Sequence, residues 1–285
     1  MFLGQRVALP LFISSMTGGD IKGNSLNKIL ARCAETVGIP FGTGSIRMAL
    51  EHEHMEQHFY LRNEAPSIPI FGNIGIVQIA HCTWSHLNKL VQKLGFSALA
   101  VHCNPGQELF QKEGDRDFRG LKDKLARFIA QAPFPVIVKE TGFGFAPDEI
   151  AFLESIGATY IDVAGKGGTN WALIEGWRTG IIGEAEAFTH WGYTTGEMLE
   201  KHQIPGKLLA SGGIRTAHDV LVSLGLGAVA CGIALPVFRA ASRAGEQGVV
   251  RFFTSLARNI TRMMLLAGCK QVSELTRPGV LEKIS

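Results

Sequence analysis

The chain has 285 residues, of which 46% are hydrophobic and 19% are charged, and its net charge is +3. This composition supplies one large core, and it includes no basic run or interleaved aromatic stripe of the kind that binds nucleic acid. The five cysteines are scattered without a CxxC pair, which excludes the usual zinc and disulfide frameworks and predicts reduced thiols in a cytoplasmic protein.

The chain opens with an apolar stretch, "MFLGQRVALPLFISSM", that has some features of a signal peptide. Its hydrophobic part is short and interrupted by Pro10, and no small-residue cleavage site follows it. No uninterrupted apolar segment of the sequence approaches the roughly 20 residues that span a bilayer. We therefore expect a soluble protein that does not contact membranes.

One unit recurs along the chain: a short apolar run, a polar or glycine turn, and a segment with helical periodicity. The apolar runs are continuous rather than alternating, which is typical of parallel strands buried on both faces. The predicted strands are 11–16, 40–44, 68–75, 98–104, 135–140, 160–165, 207–213 and 228–234.

Helical spacing follows these runs. Leu121, Leu125 and Phe128 share one face of the fourth predicted helix, and the last helix ends near Gly268. Eight such units without a break in composition predict an α/β protein, a (β/α)8 TIM barrel that forms a single domain over residues 1–285. A doubly wound open sheet is the alternative.

Ligands of such barrels bind where the strands end, because the loops between strands and helices gather there. Almost every predicted strand of this chain ends in a polar or glycine-rich motif. "SGGIRT" follows the seventh strand and "CGIA" closes the eighth, which is the corner where barrels usually bind phosphate. Gly212 and Gly213 therefore predict a phosphate site, and a simple tight turn is the alternative.

Lys139 ends the fifth strand, where it must meet an anion or stay solvated, because burying an unpaired charge is costly. Contact with an electron-rich cofactor ring, a Schiff base or an ion pair with Glu140 would each satisfy it. After the sixth strand, "VAGKGGTNW" offers an amide-rich loop that can accept a flat ring or a second phosphate, or that is merely flexible.

Four polar side chains follow the fourth strand within seven residues: His102, Asn104, Gln107 and Glu108. Amides can donate to ligand oxygens, a histidine can donate to an anion, and a lone carboxylate can hold Mg2+ together with water and substrate phosphate. We expect these groups to point into the barrel mouth. The alternative is a loop held by its own hydrogen bonds.

A histidine-rich segment, "LEHEHMEQHF", places His54 and His58 on one helical face, a spacing that can bind zinc. The surrounding charges and the lack of an HExxH pattern favour a solvated helix instead.

Seven motifs occur in one order: "ISSMTGG", "GSIR", "GNIG..Q", "HCNPGQE…EGDRDF", "VIVKETGFG", "DVAGKGGTNW" and "SGGIRT". Together they resemble type 2 isopentenyl-diphosphate delta-isomerase, from about Phe2 to the C-terminus. The resemblance implies an FMN-binding barrel of isoprenoid biosynthesis that interconverts isopentenyl and dimethylallyl diphosphate. It also implies Mg2+, NADPH as the reductant, reduced flavin as the acid/base, and a homo-oligomer, either a tetramer or an octamer.

The resemblance assigns roles residue by residue. It implies that Glu108 ligates Mg2+ and that Arg47, His102, Asn104 and Gln107 bind the diphosphate substrate, and it names no catalytic side chain. The implied FMN contacts are Met16, Thr17, Gly18, Ser45, Asn73, Lys139, Thr169, Gly213, Ile214, Arg215, Ala234 and Leu235.

The chain departs from the family pattern in several places. Ala164 stands where the family usually has a flavin-contacting serine, and Ile46 and Cys103 replace commoner residues. Family members also carry an N-terminal Arg-Lys…His segment that clamps the diphosphate, and nothing here matches it. The loss of such charge-assisted contacts predicts weak substrate affinity with flavin binding retained.

Three alternatives remain at the level of sequence. An FMN-dependent 2-hydroxyacid oxidase would need a histidine beside the glycines of "GKGGT", where there is none. A dehydrogenase of the inosine-phosphate type would need a loop cysteine, and none lies between Cys103 and Cys231. A barrel that keeps FMN but has lost turnover is the non-enzymatic alternative.

Overall fold

The structure, a computed structural model, describes residues 1–202 and 204–282. Within them, eight parallel strands close into a barrel in chain order, with the eighth paired to the first. The strands are β1 Leu11–Ile13, β2 Phe41–Ser45, β3 Ile70–Gly75, β4 Ala98–His102, β5 Val136–Lys139, β6 Tyr160–Asp162, β7 Leu208–Ala210 and β8 Ala230–Ile233.

Helices surround the barrel and cover its strand ends. Short 3-10 helices span Glu53–His58, Glu186–Phe188 and Val272–Thr276. The α-helices are α1 Ile21–Val37, α2 Arg47–Glu51, α3 Ile76–His81, α4 Trp84–Lys93, α5 Pro105–Glu108, α6 Leu121–Gln131, α7 Pro147–Ser155, α8 Trp171–Thr179, α9 Ile182–Ala185, α10 Thr195–Lys201, α11 Ala217–Gly225 and α12 Leu235–Leu266.

The closed barrel confirms the (β/α)8 prediction and rules out the open sheet. All eight predicted strands are present, and most end earlier than predicted because the chain leaves the ladder as it turns into the mouth; β1 ends at Ile13. The predicted domain of 1–285 includes positions 203 and 283–285, which lie outside the described residues.

The barrel interior is apolar at the end where the strands begin and polar at the end where they finish. Alternate residues of each strand face inward, so Ala98 and Ala100 lie below His102 on β4. Phe12 and Phe71 fill the lower interior, and Phe2, which is 1% exposed, packs against both rings. The opening apolar stretch therefore closes the bottom of the barrel.

The histidine-rich segment differs from the single solvated helix that the sequence predicts. α2 ends at Glu51, His52 is extended, and a 3-10 helix carries the chain to His58. Phe59 is 0% exposed and anchors this segment, while His58 contacts the carbonyl oxygen of Gly19 through Nδ1 at 2.5 Å. Because Phe59 is buried, the end of the segment is held in place without a continuous helix.

Two further features concern the environment of the protein. Over residues 1–202 and 204–282, no helix combines the length and the hydrophobicity that a bilayer crossing needs. Each of the five cysteines is a free thiol.

Candidate functional site

Three ionisable side chains form one layer at the top of the barrel interior. His102 of β4 is the register partner of Lys139 of β5, and Lys139 is the partner of Asp162 of β6. The Ser211 hydroxyl, just beyond β7, donates to Asp162 Oδ1 at 2.7 Å. Burial raises the pKa of Asp162, while Lys139 and the hydrogen bond from Ser211 oppose the rise. The mouth therefore places Lys139 and Asp162 side by side on adjacent strands.

Lys139 is 7% exposed, and its Nζ donates to the carbonyl oxygen of Glu140 at 2.5 Å. The ion pair that the sequence allows between these two residues does not form, because the Glu140 carboxylate accepts from backbone N–H groups of its own loop. Over the described residues this buried ammonium has one hydrogen-bond acceptor, so it retains donor capacity for an anion placed above it.

His102 lies beside Asn73, and its Nδ1 is 2.9 Å from Asn73 Oδ1. Burial and the nearby Lys139 charge lower the pKa of His102 to about 3, so the ring is neutral at physiological pH. Because Nδ1 donates to the amide oxygen, the free Nε2 carries a lone pair. His102 is thus arranged as an acceptor, whereas the sequence suggested a donor to an anion.

The loop after β4 holds its polar side chains in one hydrogen-bonded set. Asn104 Nδ2 donates to Gln107 Oε1 at 3.2 Å and to Glu108 Oε1 at 2.9 Å. The backbone N–H of Asp115 donates to Glu108 Oε2 at 2.9 Å. Gln107 Nε2 donates to Glu175 Oε1 at 3.0 Å. The loop is held by its own bonds, as one alternative foresaw, and it still presents one oriented carboxylate and one oriented amide.

Glu175 is a residue that sequence reasoning missed. It lies on α8, is 1% exposed, and also accepts from Arg178 Nη1 at 3.0 Å. A carboxylate in the otherwise apolar run "WALIEGW" was the available signal. The hydrogen bond to this carboxylate orients the Gln107 amide, because its nitrogen must face Glu175.

Arg47, which follows the end of β2, interacts with the same loop. It donates from Nε to Glu51 Oε1 at 2.7 Å and is exposed. The Glu51 hydrogen bond raises the pKa of Arg47, and the charges of Asp115 and Glu108 add to the rise. A guanidinium and the oriented Glu108 carboxylate therefore act on each other across the mouth.

Glycines after β6 and β7 pack backbone against backbone. Gly212 and Gly213 have φ of 87° and 92°, which favours glycine. A Cβ at Gly212 would overlap the carbonyl oxygen of Gly165, and one at Gly213 would lie 2.9 Å from the carbonyl carbon of Gly167. The two loops form a cradle without side chains.

Arg215 ties these two loops together. Its Nη1 donates to the carbonyl oxygen of Gly213 at 2.8 Å and its Nη2 to that of Gly167 at 2.6 Å. Ala234 is the N-cap of α12, and Leu235 begins that helix. Ile214 is buried beside them, so a guanidinium, glycine backbone and a helix N-terminus share this corner.

The β1 and β2 ends lie in direct contact. A Cβ at Gly44 would overlap the carbonyl oxygen of Thr17, and the Thr17 hydroxyl bonds Asn27 Oδ1. Ser45, at the end of β2, is the register partner of Asn73. Met16 is half-buried and Gly18 is exposed. An open depression of about 620 Å3 adjoins this edge, lined by Asp20, Ile21, Lys22, His54, Met55 and His58.

These residues fit an FMN group. The glycine cradle suits a phosphate that approaches backbone N–H groups, and Lys139 suits the electron-rich ring. Thr141 Oγ1 is buried without a hydrogen-bond partner in the described part of the chain, so it is free for a ligand. A Cβ at Gly142 would lie 2.7 Å from the carbonyl oxygen of Thr169, so the β5 and β6 loops adjoin there.

Ala164 has φ of 38°, an unusual value for a residue with a side chain. Its N–H donates to Asp162 Oδ1 at 3.3 Å. This strained turn stands where the family pattern usually has serine. An alanine side chain can offer no hydrogen bond here.

Comparison with known protein families places this geometry in context. The model of the FMN-dependent dehydrogenase family matches residues 107–282. The isopentenyl-diphosphate delta-isomerase of Borrelia garinii subsp. bavariensis is 38% identical over 276 residues, which are 96% of this chain and 78% of that protein. The protein of the same name from Methanothermobacter thermautotrophicus is 38% identical over 285 residues, covering 98% and 79%.

Solved structures share the fold. A flavocytochrome b2 variant with sulfite bound matches with a TM-score of 0.68 and 21% identity, covering 99% of this chain and 71% of that one. A mandelate oxidase mutant with (S)-mandelic acid matches with a TM-score of 0.62 and 20% identity, covering 96% and 79%. At these identities the likeness establishes the barrel fold.

Proposed function

Since this chain belongs to the type 2 isopentenyl-diphosphate delta-isomerase family, within the FMN-dependent dehydrogenases, we propose that it interconverts isopentenyl and dimethylallyl diphosphate. The observation that carries the proposal is the joined set of Asn104, Gln107 and Glu108 on the loop next to the buried Lys139. A diphosphate–metal site and a flavin site are then neighbours at one mouth.

FMN would lie with its phosphate in the glycine cradle and its ring toward Lys139. Gly213, Ile214 and Arg215 would hold the phosphate together with Ala234 and Leu235 at the start of α12, where the helix dipole favours an anion. The proposed ring contacts are Met16, Thr17, Gly18, Ser45, Asn73, Lys139 and Thr169.

Mg2+ and the substrate diphosphate would occupy the side of the mouth between β2 and β4. Glu108 is oriented through both carboxylate oxygens, and a single carboxylate plus substrate phosphates and water is a usual Mg2+ environment. Arg47 supplies positive charge opposite it. Gln107 keeps one amide N–H, which would donate to a diphosphate oxygen or orient the alkene. Asn104 would have to release its hydrogen bond to Gln107 in order to donate to the diphosphate. The neutral His102 would accept a hydrogen bond through Nε2.

Reduced FMN, with NADPH as its source of electrons, would supply a ring that gives and takes the proton. The protein's own contribution is to position the substrate and to exclude water. A small apolar cluster of Phe110, Phe143, Ala172 and Ala185 lies on the segments that follow β4, β5 and β6, where it would help to keep water from the mouth. We call this cluster the loop core.

The assembly and the setting of the enzyme follow from the same proposal. We propose that the whole chain acts as one domain in a cytoplasmic homo-oligomer, a tetramer or an octamer, of isoprenoid biosynthesis. Exposed indole rings support an association surface, since Trp177 is 73% and Trp191 is 64% exposed.

The oxidase alternative has less support. Where an oxidase would need a histidine beside the glycines of the β6 loop, this chain has Lys166, whose Nζ donates to the carbonyl oxygen of His190 at 3.0 Å. That lysine donates to a backbone carbonyl and is not a general base of the imidazole type.

The test uses the purified protein with FMN under anaerobic, reducing conditions. We expect isopentenyl diphosphate to be converted to dimethylallyl diphosphate with Mg2+ and not with EDTA, followed by NMR of the alkene. Glu108→Gln should raise the Mg2+ concentration for half-maximal rate by at least about tenfold, because loss of even a group that orients a metal ligand lowers metal affinity by about that factor. The exposed Glu113→Gln, in the same loop, is the matched control.

Three outcomes contradict the proposal. A protein that stays colourless after incubation with FMN would show that it does not bind this cofactor. Flavin reduction by lactate without isomer formation would favour the oxidase. An inert bound flavin would point to a barrel that has lost turnover.

A further inference from the structure

One buried carboxylate organises the loop after β5. Glu140 is 4% exposed and is the first residue beyond Lys139. Its Oε2 accepts from the backbone N–H groups of four successive residues, Thr141 at 2.6 Å, Gly142 and Phe143 at 2.5 Å, and Gly144 at 3.1 Å. A single oxygen that gathers four amides fixes the path of the loop, because each bond is charge-assisted while the carboxylate is ionised.

Glu140 is also linked to the cofactor side of the mouth. Its carbonyl oxygen accepts from Lys139 Nζ at 2.5 Å, while its carboxylate points the other way into the loop. Burial raises the pKa of Glu140 to about 7, and the N–H groups and Lys139 act against that rise. The ammonium of Lys139 and the nearby thiol of Cys103 are the ionisable groups that interact with it.

The loop that Glu140 fixes carries Phe143, which is 5% exposed within the loop core. A Cβ at Gly106 would overlap the Phe143 ring, so the backbone of α5 rests directly on that ring. The Phe143 carbonyl oxygen also accepts from the N–H of Tyr193 at 2.8 Å, which holds the residue from the β6 side.

α5 is the segment that carries Gln107 and Glu108. We propose that Glu140 is a positioning residue: through Phe143 and Gly106 it sets the height of α5, and with it the amide and the carboxylate that face the diphosphate and the metal. The consequence for Mg2+ rests on the proposed function, whereas the effect on the order of α5 does not.

The test compares Glu140→Gln with Glu149→Gln. Glu149 is a matched control, because its Oε2 also accepts one backbone N–H, that of Ala146 at 2.8 Å, at the start of α7. Hydrogen exchange of residues 104–115 is measured on the FMN-loaded protein without substrate. We expect Glu140→Gln to speed this exchange by about tenfold, since neutral hydrogen bonds are roughly half as strong as charge-assisted ones. Exchange of α12 should not change.

A second variant separates positioning from general loss of stability. Phe143→Leu keeps the Glu140 carboxylate and removes the ring beneath Gly106. It should therefore speed the exchange of residues 104–115 as much as Glu140→Gln does. In both variants the Mg2+ concentration for half-maximal isomerisation should rise by about tenfold with FMN affinity within about twofold. The Glu149→Gln control should match wild type.

Two results would overturn the inference. One is unchanged exchange of 104–115 in both variants. The other is equally faster exchange in α12, which would mean global destabilisation. If wild type forms no isomer, the exchange result still decides the positioning role, so failure of the proposed function remains separate.

Discussion

Buried ionisable residues are concentrated in one layer at the barrel mouth, and their charge states follow from that burial. His102 is neutral because desolvation and Lys139 both disfavour the imidazolium. Asp162 gains a hydrogen bond from Ser211, which offsets part of the cost of burying it. At the residue scale, burial and the charge of Lys139 keep His102 neutral before any ligand binds.

The depressed pKa of His102 makes stability depend on pH. The folded pKa of about 3 is below the unfolded value of 6.5, so the unfolded chain binds more protons between these values. The contribution of His102 is therefore present above pH 6.5 and is lost as pH falls toward 3. Between pH 6.5 and 4.5, wild type should lose about 1 to 2 kcal/mol more unfolding free energy than His102→Gln. The loss is smaller than the full pKa difference implies, because His102 is half-buried and water screens part of the effect.

Urea unfolding at several pH values measures this difference. His86→Gln is the control, because His86 is exposed on α4. A pH profile of His102→Gln that is parallel to that of wild type would show that folding does not lower the pKa of His102.

At the scale of elements, the loops carry and orient the functional side chains, and the strands bring those loops together at one end of the barrel. α5 and α8 meet through Gln107 and Glu175, with Arg178 on the outer side of the carboxylate. The β6 and β7 loops meet through glycine backbone and Arg215. Each pair of loops is held by a contact that spans two units of the barrel, so a change in one loop is transmitted to its neighbour.

Glu175→Ala tests the link between α5 and α8. The Gln107 Nε2 donor would lose its buried acceptor, which should lower the unfolding free energy by about 1 to 3 kcal/mol. The rate of isomerisation should fall as well, because the Gln107 amide is then free to rotate. The exposed Glu184→Gln on α9 is the control for both measurements. An unchanged unfolding midpoint in Glu175→Ala would contradict the structural role.

At the scale of the whole molecule, an apolar lower interior supports the polar layer above it. Phe2 is stacked on Tyr160, with ring centroids 5.2 Å apart, and the N–H of Leu3 donates to the Tyr160 hydroxyl at 3.4 Å. The start of the chain therefore closes the barrel opposite the site. An aromatic plug at this position excludes water from beneath the charged layer and keeps that layer in a low-dielectric environment.

Phe2→Ala should lower the unfolding free energy by about 3 kcal/mol, since truncation of a buried phenylalanine costs 3 to 5 kcal/mol and fraying near a terminus reduces the loss. Denaturant titration measures it. Met1→Ala, at a residue that is 76% exposed, is the control. A loss below about 0.5 kcal/mol, the range of ordinary surface substitutions, would show that the plug is not needed for closure.

Local patterns were sufficient to locate the strands, because continuous apolar runs and glycine turns depend only on neighbouring residues. They also indicated which strand ends are polar, so the barrel and its mouth could be predicted from sequence. The individual FMN and substrate contacts from Met16 to Leu235 came from the family resemblance and stay predictions. The tertiary structure decided how those residues are arranged. The bond from Gln107 to Glu175 and the contact of Gly106 with Phe143 join residues that are distant in sequence, and barrel register brings them together. The pKa of His102 likewise depends on burial and on Lys139, and its tautomer depends on Asn73; only the closed sheet brings these neighbours together.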